Sequence, residues 1–184
     1  VNIDTLVLII ADQNGGKSNQ MRSVFEEHEL YHQYGGYPKR AISRHQLVAP
    51  DMELFIRLSS WHERKHNYQT VKNDITNGKR HPDRRYKVLV AAQVKPTRQL
   101  PMTGEELFMK LFADFSIRRG YAVWLNPDRT GQKPFAISSK LAAFLSSNRR
   151  ASTLAIDSLA LHPSASPGTN SINARLLADL LFRT

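Results

Sequence analysis

The sequence predicts an α/β protein: a single domain over residues 1–184, a three-layer sandwich whose mostly parallel sheet carries helices on both faces. Three observations lead there. Apolar runs of strand length alternate along the chain with amphipathic stretches of helical period. Two stretches, Thr5–Ile10 and Val88–Ala92 within the strand Tyr86–Val94, are apolar without alternation, as in strands covered on both faces. The length of 184 residues suits one core of ordinary size.

The first element is the strand Thr5–Ile10, TLVLII, which carries no charge. It is far too short to span a bilayer. A polar, glycine-bearing turn follows, ADQNGGKS, from Ala11 to Ser18. Ser18–Leu30 then reads as a helix. Met21, Val24, Phe25 and His28 share one face, while Arg22, Glu26, Glu27 and Glu29 fall mostly elsewhere.

Tyr31–Arg40, YHQYGGYPKR, is broken by Gly35, Gly36 and Pro38. Its three tyrosines are of the kind that line a loop, with base stacking as the alternative. Ala41–Val48 alternates weakly and is expected to be a strand. Asp51–Ser60, DMELFIRLSS, is a strand in which Leu54, Ile56 and Leu58 alternate with Phe55 and Arg57. Trp61–Asn77 is polar, with a helix from about Asn67. Within it, His62, Glu63 and His66 read as a mixed-charge helical surface, because no further ligand stands at metal spacing. Gly78–Arg85 concentrates Lys79, Arg80, Arg84 and Arg85 against Asp83, with Pro82 marking a loop. Such a loop could clamp phosphates, touch a nucleic-acid backbone or simply be solvated.

The strand Tyr86–Val94 ends near Gln93. Thr103–Arg119 is expected to be a helix, opened by a Thr103/Glu106 capping box and closed near Gly120. Leu107, Phe108, Leu111, Phe112 and Phe115 form its apolar stripe. Tyr121–Leu125 is a strand, followed by a turn over 126–131. Ser138–Ser147 is a helix, and Ser152–Asp157 is a strand ending in a carboxylate. A Ser/Pro/Gly loop covers 164–170, and the helix Asn173–Phe182 closes the chain.

Ala11, Gly16, Lys17 and Ser18 fit small-x-x-x-x-Gly-Lys-Ser, with a strand before and a helix after. This resembles the Walker A loop of the P-loop NTPase superfamily, in the variant that begins with Ala. The alternative reading is an Asn-Gly hairpin turn preceding Lys-Ser. The resemblance implies a loop whose backbone amides cradle phosphates, with Asp12, Gln13, Asn14, Gly15, Gly16, Lys17, Ser18 and Asn19 binding nucleotide. It implies that Lys17 reaches the β- and γ-phosphates as the catalytic cation and that the Ser18 hydroxyl ligates Mg²⁺. ATP or GTP with Mg²⁺ is the expected cofactor, and Asp157 is expected to complete the metal site from a neighbouring strand. An Asp157 that merely caps the next turn is the alternative.

Two shorter likenesses accompany this one. Pro50-Asp51 followed by an apolar strand is similar to the corresponding strand of small nucleotide kinases. Ala91-Ala92-Gln93 followed by Pro96 looks like the Ala-Thr-Gln strand end of motor ATPases that pump DNA or drive secretion, where the polar residue senses phosphate or positions water.

Lys and Arg number 26 against 16 Asp and Glu, a net charge of +10. That balance favours a polyanionic partner: nucleotide, nucleic acid or an acidic surface. No apolar run approaches the length of a membrane span, and no basic n-region of a secretion signal is expected. Without cysteine there is no disulfide and no thiolate chemistry, which fits the cytoplasm. The two function classes in view are an NTP hydrolase or phosphotransferase, and a non-catalytic nucleic-acid-binding or assembly protein on a similar fold.

Overall fold

β1 (Asn2–Ile10) is buried without interruption from Thr5 to its end. Its two neighbours are both parallel to it. β4 (Arg85–Ala92) pairs Val90 with Leu8, and β5 (Ser116–Leu125) pairs Ala122 with the same residue. β3 (Met52–Arg57) lies parallel outside β4, and β2 (Ser43–Ala49) closes that side antiparallel, with a register shift between Leu47 and Ala49. β6 (Ala151–Ile156) lies parallel outside β5. The order is β2-β3-β4-β1-β5-β6, a six-stranded, mostly parallel sheet. The computed structural model describes residues 1–26, 43–127, 131, 136–158 and 172–183. The tyrosine-rich segment 31–40, His28, the centre of the turn over 126–131 and the 164–170 loop lie outside these residues.

Side chains along a strand alternate between faces, and β1 divides its apolar residues accordingly. Leu6, Leu8 and Ile10 join one core cluster, while Val7 and Ile9 join the other. The first cluster includes α2 (Tyr68–Gly78) through Val71 and Ile75, α3 (Gly104–Asp114) through Leu107, Phe108, Leu111 and Phe112, and α4 (Ser139–Ser147) through Leu141. The second includes Met21 of α1 (Lys17–Ser23), with Val24 and Phe25 of the 3-10 turn after it. It also takes Leu177 of α5 (Ile172–Ala178) and Leu181 of the π turn that follows. Full burial of each such side chain stabilises the fold by about 1.5–3 kcal/mol, which explains why β1 and β4 tolerate no charge in their second halves.

The helix starts obey their capping chemistry. Thr103 Oγ1 accepts from the Glu106 amide at 3.2 Å, and Glu106 Oε2 accepts from the Thr103 amide at 2.9 Å. Asn67 and Ser138 cap α2 and α4 by accepting from Thr70 and Leu141. The helix expected over 103–119 is shorter than its apolar stripe suggests. It stops at Asp114, and β5 begins at Ser116. Ser116 and Arg118 are exposed while Ile117 is buried, a period of two that the preceding phenylalanines mask. Gly120 is therefore no helix cap. It lies in mid-strand, where a Cβ would stand 2.4 Å from a ring carbon of Phe112. The first helix is also shorter than the expected Ser18–Leu30, ending at Ser23 before a 3-10 turn to Glu26.

This topology creates one crevice. The chain leaves β1 into α1 on one face of the sheet and leaves β4 into α3 on the other. Between two parallel strands whose connections depart to opposite faces, the carboxyl ends of the strands open a cleft, the usual ligand position in open α/β sheets. The loops following β1 and β4 meet there. No helix among the described residues is long and apolar enough to cross a membrane.

Candidate functional site

The segment after β1 turns sharply. The Gly15 amide donates to Asp12 O at 3.1 Å, Asn14 has φ 63° and Gly16 has φ 92°. Glycine and asparagine adopt this left-handed region most readily, so the Asn-Gly-Gly composition is what the turn requires. α1 starts at once with Lys17.

Lys17 is buried to 4% exposure, yet its ammonium is surrounded by oxygen. Nζ donates to Asp12 O at 2.7 Å and to Ala11 O at 3.1 Å, and lies 3.4 Å from Glu63 Oε1. The Ser18 hydroxyl donates to Leu58 O, just beyond β3, at 3.0 Å. With its hydrogen directed there, the oxygen keeps lone pairs for another partner. Asn14, Gly15, Gly16, Lys17, Ser18, Asn19, Arg22 and Glu63 line a cavity of about 290 Å³. Six of these fall within the expected nucleotide-binding set. Asp12 and Gln13 do not line the cavity; Asp12 contributes its carbonyl to the turn and to Lys17.

Glu63 is the residue that pattern reading missed. The sequence pattern suggests a mixed-charge helical surface for His62, Glu63 and His66, whereas residues 61–65 form consecutive turns, with Lys65 at φ 56°, ahead of the helix expected from about Asn67. α2 begins only at Tyr68. Trp61 is fully buried and fixes these turns. Its indole N–H donates to Asp74 Oδ2 at 2.8 Å, and Arg57 donates to the same oxygen at 2.7 Å while stacking over the Trp61 ring. Arg57 also contacts His66 Nδ1 at 3.1 Å. The network anchors the turns to α2 and leaves Glu63 facing Lys17.

His-Glu-x-x-His on a helix would suggest zinc, but both rings here are otherwise engaged. The Gln93 amide donates to His62 Nδ1 at 3.4 Å, which leaves Nε2 to donate to Met102 O at 2.9 Å. Burial, and then the nearby Lys17 charge, hold His62 below the ordinary imidazole value. It is a neutral strut joining the ends of β3 and β4 to the start of α3. Among the described residues no group of three or more metal-ligating side chains converges.

Gln93 directly follows β4, beside the end of β1, and the Ala11 amide donates to Ala92 O at 3.4 Å. It does not line the cavity.

Asp157 is placed differently from expectation. Its strand, β6, is separated from β1 by β5, so it is not the neighbouring strand that a carboxylate reaching Ser18 requires. Asp157 is absent from the cavity wall. Its carbonyl accepts from Asn173 at 2.7 Å, and the same amide nitrogen donates to Gln20, joining the end of β6 to α1 and α5.

The basic loop 79–84 is also remote. It precedes β4 and so lies at the amino end of the parallel strands, whereas Lys17 lies at the carboxyl end. It cannot clamp phosphates held at Lys17.

No protein-family model, no curated protein and no solved structure matches the chain.

Proposed function

We propose that this chain is a nucleotide-binding protein on a P-loop-like, three-layer α/β/α fold, holding the phosphates of ATP or GTP with Mg²⁺ in the loop 11–18. One observation carries the reading. A glycine turn, a buried lysine, a serine hydroxyl and a carboxylate from a distant segment converge on one polar cavity at the carboxyl end of the parallel strands, between the loop after β1 and the turns after β3. The donor set fits a polyphosphate. Within α1 the Asn19 and Gln20 amides donate to Gly16 O at 2.9 and 3.2 Å, while amides earlier in a helix find no acceptor in it, and Lys17 and Arg22 add positive charge at the cavity wall. The volume lies near the small end for ligand pockets, roughly 300 Å³, which suits a phosphate chain with the base lying outside.

Ser18 would be the direct protein ligand of Mg²⁺, which when bound neutralises charge on the phosphates. A phosphate oxygen entering the cavity takes over Lys17 and frees Glu63 from its ion pair. Glu63 then faces the cavity as an acceptor able to orient and deprotonate water or an acceptor hydroxyl. The reaction class is NTP hydrolysis or phosphoryl transfer, in which positioning and charge stabilisation supply most of the catalysis. Calorimetric titration with ATP and GTP, with and without Mg²⁺, tests the reading. Saturable binding that depends on Lys17 is the expected result, and no heat with either nucleotide would overturn it.

A further inference from the structure

We infer that the amino edge of the sheet, opposite the Lys17 cavity, docks the sugar–phosphate backbone of a nucleic acid through a row of arginines. Parallel strands bring together what the sequence scatters. Arg85 opens β4, Arg80 stands in the preceding loop against the Glu53 side chain of β3, Arg118 is near the start of β5, and Arg149 and Arg150 immediately precede β6. With neighbouring strands about 4.8 Å apart, β4 to β6 spans roughly 14 Å. One duplex strand presents a phosphate for about every 3.4 Å of axis, so the row matches roughly four successive phosphates.

The counter-charges are placed unevenly. Arg85 pairs with Asp51 at 2.9 Å, and Arg118 with Asp4 at 3.1 Å. Arg80, Arg149 and Arg150 are exposed and form no ion pair with any described residue. Both turns that carry these three are fixed from within. The fully buried Glu53 carboxylate accepts from the amides of Arg80 and His81, each at 3.3 Å, and contacts His45 Nε2 at 2.7 Å. On the other side, Arg150 O accepts from the Gly120 amide at 2.8 Å, and Asn148 Oδ1 accepts from the Arg150 amide at 3.2 Å. A buried carboxylate that orders an exposed basic loop makes a preorganised cationic surface, which lowers the entropic cost of binding.

The cations are guanidinium groups, whose planar donor fork matches phosphate oxygens. The exposed large apolar residues among those described are Val1, Leu47 and Ile137, none aromatic. A membrane-docking face normally adds Trp, Phe or Leu anchors, so nucleic acid is the favoured partner. The contacts address the backbone, so binding is independent of base sequence.

The test is fluorescence anisotropy of the full chain with a labelled 20-base-pair mixed-sequence DNA duplex, across a monovalent salt series. The expected wild-type result is binding at low salt that weakens steeply as salt rises. Each phosphate contact contributes about 0.9 to the log–log slope, so R80Q/R149Q/R150Q should flatten it by about 3 and R149Q/R150Q by about 2. Lys17→Ala, which removes the proposed nucleotide contact, should leave duplex affinity unchanged, so this inference and the nucleotide reading fail separately. Three results would overturn the inference: no duplex binding at low salt, wild-type affinity and slope in the triple variant, or capture by phosphatidylserine vesicles at salt where the duplex does not bind.

Discussion

The Lys17 ammonium lies 3.4 Å from the Glu63 carboxylate, joining the loop after β1 to the turns after β3. Two segments far apart in sequence supply the pair. Lys17 is drawn inward by the carbonyls of Ala11 and Asp12, and Glu63 is presented by turns anchored through Trp61 and Asp74. Under the proposed nucleotide reading, a phosphate would compete with Glu63 for this one cation.

Lys17→Ala should weaken ATP or GTP binding at least tenfold, about 1.4 kcal/mol. Because the substitution also takes the donor from the Ala11 and Asp12 carbonyls, circular dichroism of the variant should match wild type before the affinities are compared. Calorimetry comparing wild type with the variant checks this, and equal affinities would exclude Lys17 as a phosphate contact.

Glu63→Gln should separate binding from chemistry. The amide keeps the shape of the carboxylate and removes its competition for Lys17, so nucleotide affinity should hold or rise. Turnover should fall by about a hundredfold or more, as expected when a general base is lost. Asp157→Asn is the matched comparison, and its rate of phosphate release should equal wild type. A drop caused by Asp157→Asn alone would reverse the two assignments.

Much of the fold was legible because its signals are local. The uncharged runs of β1 and β4, the Thr103/Glu106 box and the Asn67 start of α2 each depend on a few adjacent residues. The helix boundary at Asp114 was not legible, because Phe115 extends a helical stripe while already belonging to the strand connection. The loop 11–18 was visible as a pattern, whereas its carboxylate was not. Asp157 ends an apolar strand and looks the part, but strand order is a long-range property and β5 intervenes. Glu63 sits in a polar stretch with no periodicity, and only the buried Trp61 beside it hints that the stretch is anchored.

Gly120→Ala should destabilise the protein by about 1–3 kcal/mol, the usual cost of overpacking. The new methyl carbon would stand 2.4 Å from one Phe112 ring carbon and 2.5 Å from another, in a cluster where Phe112 already packs edge-on against Phe108. Urea unfolding should report a lower midpoint with an unchanged slope. Adding Phe112→Leu should recover part of the loss by making room. A neutral Gly120→Ala would mean that α3 can shift away from β5 without cost.

His62 should make stability fall on mild acidification. Its ring is nearly inaccessible, and both nitrogens are committed in the neutral form, Nδ1 accepting from Gln93 and Nε2 donating to Met102. Burial holds its folded value below the ordinary 6.5. Between the folded value and 6.5, the unfolded chain binds a proton that the folded chain refuses, so unfolding gains free energy as pH falls. The stability is fully present above about pH 6.5 and is lost progressively as pH drops toward the folded value. His62→Gln retains a donor and an acceptor but does not titrate. Melting temperatures of wild type and variant, measured between pH 8 and about pH 5, should therefore diverge in slope, with the wild type falling more steeply below about pH 6.5. Parallel curves would show that the ring takes up its proton as readily in the folded as in the unfolded chain, which would mean that the Gln93 bond does not hold it neutral.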